Sequence, residues 1–368
     1  MKNSQRIDKV FLLSVVLLAS VGFIIFLSAS LGLLAKDGAS YNTVATKQFI
    51  GLIIGCVAFF VMYKIPYLKL RKYAFYIFVA AIFINLLLFV PFLNMHHGGA
   101  SRWIDLGFIT FQPSEFLKIS FIIYFAAWLS GIKEKVSSFK LGIFPYFIII
   151  TILSALLLSQ SDTDTLVVIA GTGMIMLFAA GARVRDIFIV GLILLTLISV
   201  VVYTRPYARE RILTYLNSTS DPQGSGYQIQ QSMIAIGSGR ITGRGFGQSI
   251  QKFSYLPEPI GDSIFAVSAE EFGFIGSIGL VFLYLVFLFK TIKISTRSPD
   301  IFSGLLVMGI AILIVTESFM NISSMLGIIP LSGMPLLFVS HGGTALIIAL
   351  GAAGIIANVS KYQKDLVN

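Results

Sequence analysis

The stretch Tyr255-Leu256-Pro257-Glu258-Pro259-Ile260-Gly261-Asp262-Ser263-Ile264-Phe265, followed by Glu270 and Glu271, places four carboxylates within fourteen residues. It lies where a long polar segment runs into an apolar one. Acids beside a buried helix are costly and tend to have work to do. Asp262 falls at the predicted N-terminal cap of that helix, where free amides and the helix dipole favour a carboxylate. Capping alone would account for it, with Glu270 and Glu271 as buried partners of Arg or Lys. The density of acids favours a chemical role instead.

Four further groups could take part. In His96-His97-Gly98-Gly99-Ala100-Ser101-Arg102-Trp103-Ile104-Asp105, then Gln112-Pro113-Ser114-Glu115-Phe116-Leu117-Lys118, Pro113 and Ser114 open a helix and Glu115 shares a face with Lys118. Arg102 and Lys118 would bind an anionic head group; an intrahelical ion pair with an interfacial Trp is the plainer alternative. Adjacent histidines rarely chelate one ion, so His96 and His97 read as part of a polar loop. In Gln160-Ser161-Asp162-Thr163-Asp164-Thr165 two carboxylates could hold a hard cation such as Mg²⁺ or Mn²⁺, with Asp162 and Asp262 as candidate ligands. A turn with a capped helix explains that stretch more simply. The run Gly237 to Gly247, with Arg240 and Arg244, permits close backbone approach to phosphate. It lacks P-loop spacing, so no nucleotide cofactor is expected. Pro330 to Gly343, containing Ser340, His341, Gly342 and Gly343, could line a cavity as broken helices do in transporters.

The chain that must position these groups is 56% hydrophobic and 12% charged over 368 residues, against roughly 25% charged in soluble domains. With a mean hydropathy of +0.89 it reads as an integral membrane protein. The single cysteine, Cys56, lies in an apolar run, reads as a packing residue, and excludes an intrachain disulfide or a cysteine cluster. At about 20 apolar residues per crossing, the first span begins near Phe11. Further spans are predicted near 49–63, 73–92, 114–130, 141–159, 165–181, 187–203, 264–289, 301–320 and 343–359, about ten in all. The first run is too long for a signal-peptide core and reads as a retained span. With both termini cytoplasmic, seventeen of the 27 Lys and Arg fall on the inner side, which nets +12, while the outer side nets −2. That asymmetry is what the positive-inside rule asks for. It accounts for the net charge of +10 without nucleic acid.

Residues 318–340 are uncharged enough to span but carry Pro330, Pro335, Gly327 and Gly333; they are predicted to re-enter the membrane under the shelter of neighbouring helices. The outer loop 204–263, between the seventh and eighth spans, carries a predicted amphipathic helix over Tyr227–Ile236. Residues 1–368 read as a single transmembrane domain with no fixed repeat.

Together these residues resemble the SEDS family of FtsW, RodA and SpoVE over about residues 10–360. The carriers are Gly99-Ala100-Ser101-Arg102-Trp103-Ile104, Gln112-Pro113-Ser114-Glu115 with Lys118, Gln248-Ser249-Ile250-Gln251-Lys252 with Tyr255-Leu256-Pro257-Glu258, and Pro330 to Gly343. The Gln248–Lys252 and Tyr255–Glu258 pieces are closer to the division branch, FtsW; Arg102–Glu115 leans toward the elongation branch. The family's His-Thr-Asp-Phe stands here as Ile260-Gly261-Asp262-Ser263, its Gln-Pro-Asp-Leu-Gly-Thr as Gln160 to Thr165, and its Ser-Tyr-Gly-Gly as Ser340-His341-Gly342-Gly343.

The resemblance implies an all-α, polytopic protein of the bacterial plasma membrane with its active site on the outer face. It implies a peptidoglycan glycosyltransferase that polymerises lipid II onto a nascent glycan strand for division or cell shape. It also implies a single-span class B penicillin-binding protein as transpeptidase partner, beside other division or elongation proteins. Asp262 would be the base of an inverting displacement. Arg102, Lys118, Arg244 and Lys252 would steady the departing pyrophosphate, with Glu115, Glu258, Ser340, Gly342 and Gly343 also contacting substrate. A flippase for lipid-linked precursor and a noncatalytic scaffold for a transpeptidase are the alternatives.

Overall fold

The computed structural model describes residues 7–35, 41–90, 94–97, 100–105, 110–217 and 224–363. Twelve α-helices occupy most of them: α1 Lys9–Ser30, α2 Tyr41–Lys64, α3 Tyr67–Leu86, α4 Pro113–Ile132, α5 Phe144–Ser159, α6 Thr163–Ala179, α7 Val184–Thr204, α8 Pro206–Leu216, α9 Ser225–Ser238, α10 Ile264–Thr296, α11 Ile301–Met325 and α12 Gly343–Ser360. Among the described residues nine helical segments are long and apolar enough to cross a membrane, and α6, at 17 residues, is shorter. At 1.5 Å per residue α6 covers about 25 Å, near the lower limit for a crossing.

The Asp8 amide donates to Ser360 Oγ at 3.4 Å, so the start of α1 and the end of α12 share one face of the bundle. A chain whose two ends meet on one side crosses an even number of times. With nine long helices crossing, one of α6 and the segment after α11 must cross and the other turn back. Helix α6 is regular over 17 residues and the segment after α11 is irregular, so α6 is the one that crosses, making ten. The helices close around one continuous apolar core running from Phe11 to Val359. Ser28 and Ala29 lie inside that core, as a retained first span requires. Cys56 does not: it points outward from α2 and does not pack.

The segment after α11 is irregular, yet Met334 and Leu336 to Ser340 are buried. Irregular backbone at that depth needs its polar groups answered by protein. Asn321 Nδ2 donates to the Met334 carbonyl at 2.8 Å, Gln48 Nε2 to the Ser340 carbonyl at 3.3 Å, and Tyr284 Oη to the Leu337 carbonyl. Ser340 Oγ accepts from the Leu336 amide at 2.9 Å. The re-entrant loop is thus pinned by α2, α10 and α11.

Helix α10 is broken at Gly273, whose φ of 66° and ψ of −163° suit glycine alone; the apolar run 264–289 predicts an unbroken helix. The hydrogen bonds lost there are replaced from the loop after α9. The amides of Phe274 and Ile275 donate to the carbonyls of Arg240 and Ile241, at 2.9 and 3.1 Å. The carbonyls of Glu270 and Glu271 accept from the amides of Arg244 and Gly245, at 3.0 and 2.9 Å.

A second difference is a small antiparallel sheet, β1 Asn94–His97, β2 Ala100–Asp105 and β3 Thr110–Phe111, in the segment expected to be a polar loop. It is tied to the bundle through Thr344 Oγ1, which donates to the Thr110 carbonyl at 2.8 Å and accepts from the Gln112 amide at 3.3 Å. Helix α9 extends the predicted Tyr227–Ile236 helix by two residues at each end.

A Cβ at Gly273 would meet the Gly243 backbone. Gly273→Ala is expected to destabilise the protein by about 1–3 kcal/mol. A lowered thermal midpoint in detergent, with faster protease cleavage in 240–252, would be the readout.

Candidate active site

Asp262 opens onto a cavity of about 530 Å³ at one end of the bundle. Three segments form its walls: β2 with Arg102 and Trp103, α8 with Tyr207 and Arg211, and the loops on either side of α10 and α12. The last contribute Glu258, Gly261, Asp262, Gly333, His341, Gly342 and Gly343. Asp262 does not cap α10. The cap position is Ser263, whose side chain makes no capping bond, and the Asp262 carboxylate, among the described residues, accepts no hydrogen bond from protein. Its backbone is held: Asn321 Nδ2 donates to the Asp262 carbonyl at 2.7 Å as well as to Met334. Ser340 Oγ donates to the Gly261 carbonyl at 2.9 Å, and the His341 amide to that of Ile260 at 2.7 Å.

Gly333 marks where the charges converge. A Cβ there would lie 3.5 Å from Arg211 Nη2, 3.7 Å from Asp262 Oδ2 and 3.8 Å from Asp164 Oδ2. Arg211 Nη1 pairs with Asp164 Oδ2 at 2.7 Å, and the Gly333 amide donates to the same oxygen at 3.1 Å. Tyr207, one turn before Arg211, lies under its guanidinium at 4.4 Å. Arg102 Nη2 donates to the Ser161 carbonyl, and its Nη1 lies 3.8 Å from Asp162 Oδ1.

Burial pushes the Asp262 carboxyl up to about 7, reinforced by Glu258 and Asp164 and opposed by Arg211 and Arg102. Burial alone would lower Arg211, but Asp164, through charge and hydrogen bond, acts with Tyr207 and Asp262 to leave it raised. Burial and Lys47 lower His341, which keeps its ring neutral.

Of the residues singled out from sequence, Arg102, Glu258, Asp262, Gly342 and Gly343 line the cavity. The others lie elsewhere, and each is already committed. Lys118 Nζ sits between Glu115 at 2.9 Å and Glu317 at 2.7 Å, with the three side chains closed to solvent inside the bundle. Lys252 Nζ, 0% exposed, pairs with Glu271 at 2.7 Å, and Arg244 Nε lies 3.3 Å from Glu270. Ser249 Oγ donates to Glu270 at 2.6 Å, and the amides of Ile250 and Gln251 donate to it at 3.1 and 3.2 Å. Buried carboxylates need such partners, so Arg244 and Lys252 bind the outer loop to α10 rather than a head group. Ser340 supports the floor through its hydroxyl.

The cavity charge that sequence reading did not assign is Arg211; its partner Asp164 stood in the sequence only as one of two carboxylates that could hold a cation. The one local signal for Arg211 is its i,i+4 spacing from Tyr207 on a basic helix. Asp162 caps α6, accepting from the Thr165 amide at 3.5 Å. Among the described residues no three His, Cys, Asp or Glu side chains come together as a metal-binding set. The donors present therefore do not fit a divalent-cation site built on Asp162 and Asp262.

The family model for cell cycle proteins that groups FtsW, RodA and SpoVE matches residues 8–365. A Geobacter metallireducens protein named "Probable peptidoglycan glycosyltransferase FtsW" is 38% identical over 366 residues, covering 99% of this chain and 97% of the relative. Stage V sporulation protein E of Bacillus subtilis is 36% identical over 357 residues, covering 97% and 98%. Among solved structures, a chain of a peptidoglycan synthase complex superposes with a TM-score of 0.80 at 24% identity, covering 97% of this chain and 99% of that one. The rod shape determining protein RodA of Thermus thermophilus gives 0.70 at 22%, covering 97% and 98%. At those identities the two structures establish the fold.

Lys118→Met leaves two carboxylates unpaired inside the bundle and is expected to cost about 3–5 kcal/mol of stability. Adding Glu115→Gln and Glu317→Gln should restore most of the loss. Thermal unfolding of the detergent-solubilised single and triple variants measures both.

Proposed function

We infer that this chain, which belongs to the FtsW, RodA and SpoVE family of cell cycle proteins, is a peptidoglycan glycosyltransferase of the membrane. It polymerises lipid II into glycan strands, with the cavity on the outer face and Asp262 as base. The observation that carries this reading is a carboxylate that has no hydrogen-bond donor among the described residues, set beside two arginines in a cavity at the end of the bundle.

The acceptor hydroxyl lies against Asp262 and attacks the anomeric carbon of the donor sugar. As the new glycosidic bond forms, the bond from that carbon to the polyprenyl diphosphate breaks, and the leaving oxygen keeps the electron pair. Asp262 takes the hydroxyl proton. Attack opposite the leaving group converts an α-phosphate donor into a β-link. A base near pH 7 can accept the proton and still be ionised under working conditions.

The diphosphate leaves as an anion and needs positive charge rather than an acid. Arg211 and Arg102 supply it from the cavity wall, where low dielectric strengthens each contact. The prenyl tails stay among the helices. The free energy comes from the diphosphate bond. A single-span transpeptidase that crosslinks the product fits as partner, because the related fold was solved in a peptidoglycan synthase complex.

Asp262→Asn is expected to lower polymerisation of lipid II in detergent by about 10²–10⁴-fold. Normal polymer from that variant overturns the assignment, whereas a lipid transporter would make no polymer in detergent, since it acts only between two leaflets.

The pH dependence has a definite sign. Activity needs the ionised carboxylate, so wild-type kcat/KM should fall as pH drops through about 7. Arg211 lowers the Asp262 pKa, so Arg211→Met should move that acid limb to higher pH. A rate profile between pH 5.5 and 9 on both proteins tests this.

A further inference from the structure

His341 lies in the cavity wall with Asp262 and has no part in the displacement described above. Its ring is stacked on Phe26, with centroids 5.5 Å apart and planes tilted by 20°. Its Nδ1 lies 3.2 Å from Gln48 Oε1. Its backbone amide is bonded to Ile260, two residues before Asp262. Side chain and main chain are both fixed, so the ring keeps one orientation relative to the loop that carries the base.

The protonation of that ring follows from its neighbours. The Gln48 amide is oriented by the Ser340 carbonyl, which can only accept; Gln48 Nε2 must face it, at 3.3 Å. The reverse orientation would set two acceptor oxygens against each other. Gln48 Oε1 is therefore the atom facing His341, and an acceptor there requires the hydrogen to be on Nδ1. Burial and Lys47 keep the ring neutral. Nε2 is left with a bare lone pair and, among the described residues, no protein donor.

We propose that His341 is a substrate-contacting residue, whose Nε2 accepts a hydrogen bond from an O–H or N–H of the sugar held beside Asp262. A hexosamine offers such donors next to its reacting hydroxyl, and a polar site left without its donor rejects analogues strongly. The contact selects for a sugar bearing a donor at that point and fixes the acceptor's rotation over the carboxylate. It moves no proton. This inference rests on the cavity binding the sugar of a lipid-linked substrate, as proposed above.

The test separates binding from turnover by using the Asp262→Asn protein, which holds substrate without consuming it. Lipid II binding is followed by the fluorescence of Trp103, which lines the cavity, with Trp128 replaced by Phe. His341→Phe keeps the stack on Phe26 and removes the acceptor; it should weaken binding about tenfold, the worth of one such hydrogen bond. His341→Gln restores an acceptor and should bind within about threefold of the parent.

Equal binding by parent and His341→Phe overturns the proposal. So does a His341→Gln protein as weak as His341→Phe, since that pattern marks a packing role. With Asp262 intact, His341→Phe should raise KM about tenfold, hold kcat within about threefold, and leave the acid limb of the rate profile unmoved. A lost limb would make His341 the base instead. If His341→Phe does not fold, Gln48→Glu serves in its place. The added carboxylate holds the imidazolium, turns Nε2 into a donor, and should weaken binding by a similar factor; unchanged binding again sinks the proposal. Failure of the reading it rests on looks different: polymer from the Asp262→Asn protein removes Asp262 as base, and a wild type that binds lipid II through His341 but makes no strand removes the enzyme reading.

Discussion

The structure depends on one constraint: non-helical backbone inside an apolar bundle must have its polar groups answered by protein. The re-entrant loop after α11 cannot satisfy its own. Asn321 answers Met334, Gln48 answers Ser340, Tyr284 answers Leu337, and Asp164 answers Gly333. These donors and acceptors come from α11, α2, α10 and α6, so one loop fixes four helices relative to each other. Asp262 hangs from the same loop, because Asn321 bonds its carbonyl while Ser340 and His341 bond its neighbours. That carboxylate is thus positioned by the same bonds that make the fold possible.

The ionic side chains divide into two populations by what surrounds them. Lys118, Lys252 and Arg244 sit on Glu115, Glu317, Glu271 and Glu270. Such pairs contribute less to stability than their contacts suggest, because desolvation offsets the attraction, but breaking one is expensive. They work as geometric locks that hold α4 to α11 and the outer loop to α10. The second population faces the cavity. There the Asp262 carboxylate accepts no protein hydrogen bond among the described residues, and Arg102 and Arg211 line the same space. Arg102 Nε is buried and, among the described residues, without a partner.

Much of this was legible in sequence, for reasons that differ by feature. Spans are set by local composition, so ten crossings could be read from apolar runs and from basic loops. The return of the segment 318–340 was readable from its prolines and glycines. Asp262, Arg102 and Glu258 stood out because charge is rare in such a chain. The Glu115–Lys118 pair was legible from its i,i+3 spacing, and Glu270 and Glu271 were readable as partners of some Arg or Lys, but the distant partners themselves were not. Lys118 and Glu317 are 199 residues apart, and nothing local distinguishes a lysine that will meet a glutamate from one that will meet a phosphate. The same holds for Arg244 and Lys252 beside a glycine-rich run. The break in α10 was hidden because Gly273 sits in an unbroken apolar stretch, and its cause is the loop 240–245 pairing across it. The strands around Arg102 lie in a short polar segment with little alternation to read.

The electrostatics of the cavity explain how two arginines flank Asp262 without fixing its charge. A guanidinium held directly on Asp262 would keep the carboxylate ionised but weakly basic, unable to draw a proton from an alcohol. Here Arg211 is bonded to Asp164 instead, at 2.7 Å, while Asp162 lies against Arg102. Each arginine thus reaches Asp262 with part of its charge already countered. Asp164 and Glu258 add repulsion of their own, and burial does the rest. The carboxyl settles near neutrality, while the guanidinium hydrogens that face the cavity stay available to an anion. In the reaction we propose, a departing diphosphate would compete with Asp164 and Asp162 for those hydrogens, with an attraction that grows as the bond breaks. Stabilisation that appears mainly in the transition state is the kind that raises rate rather than affinity.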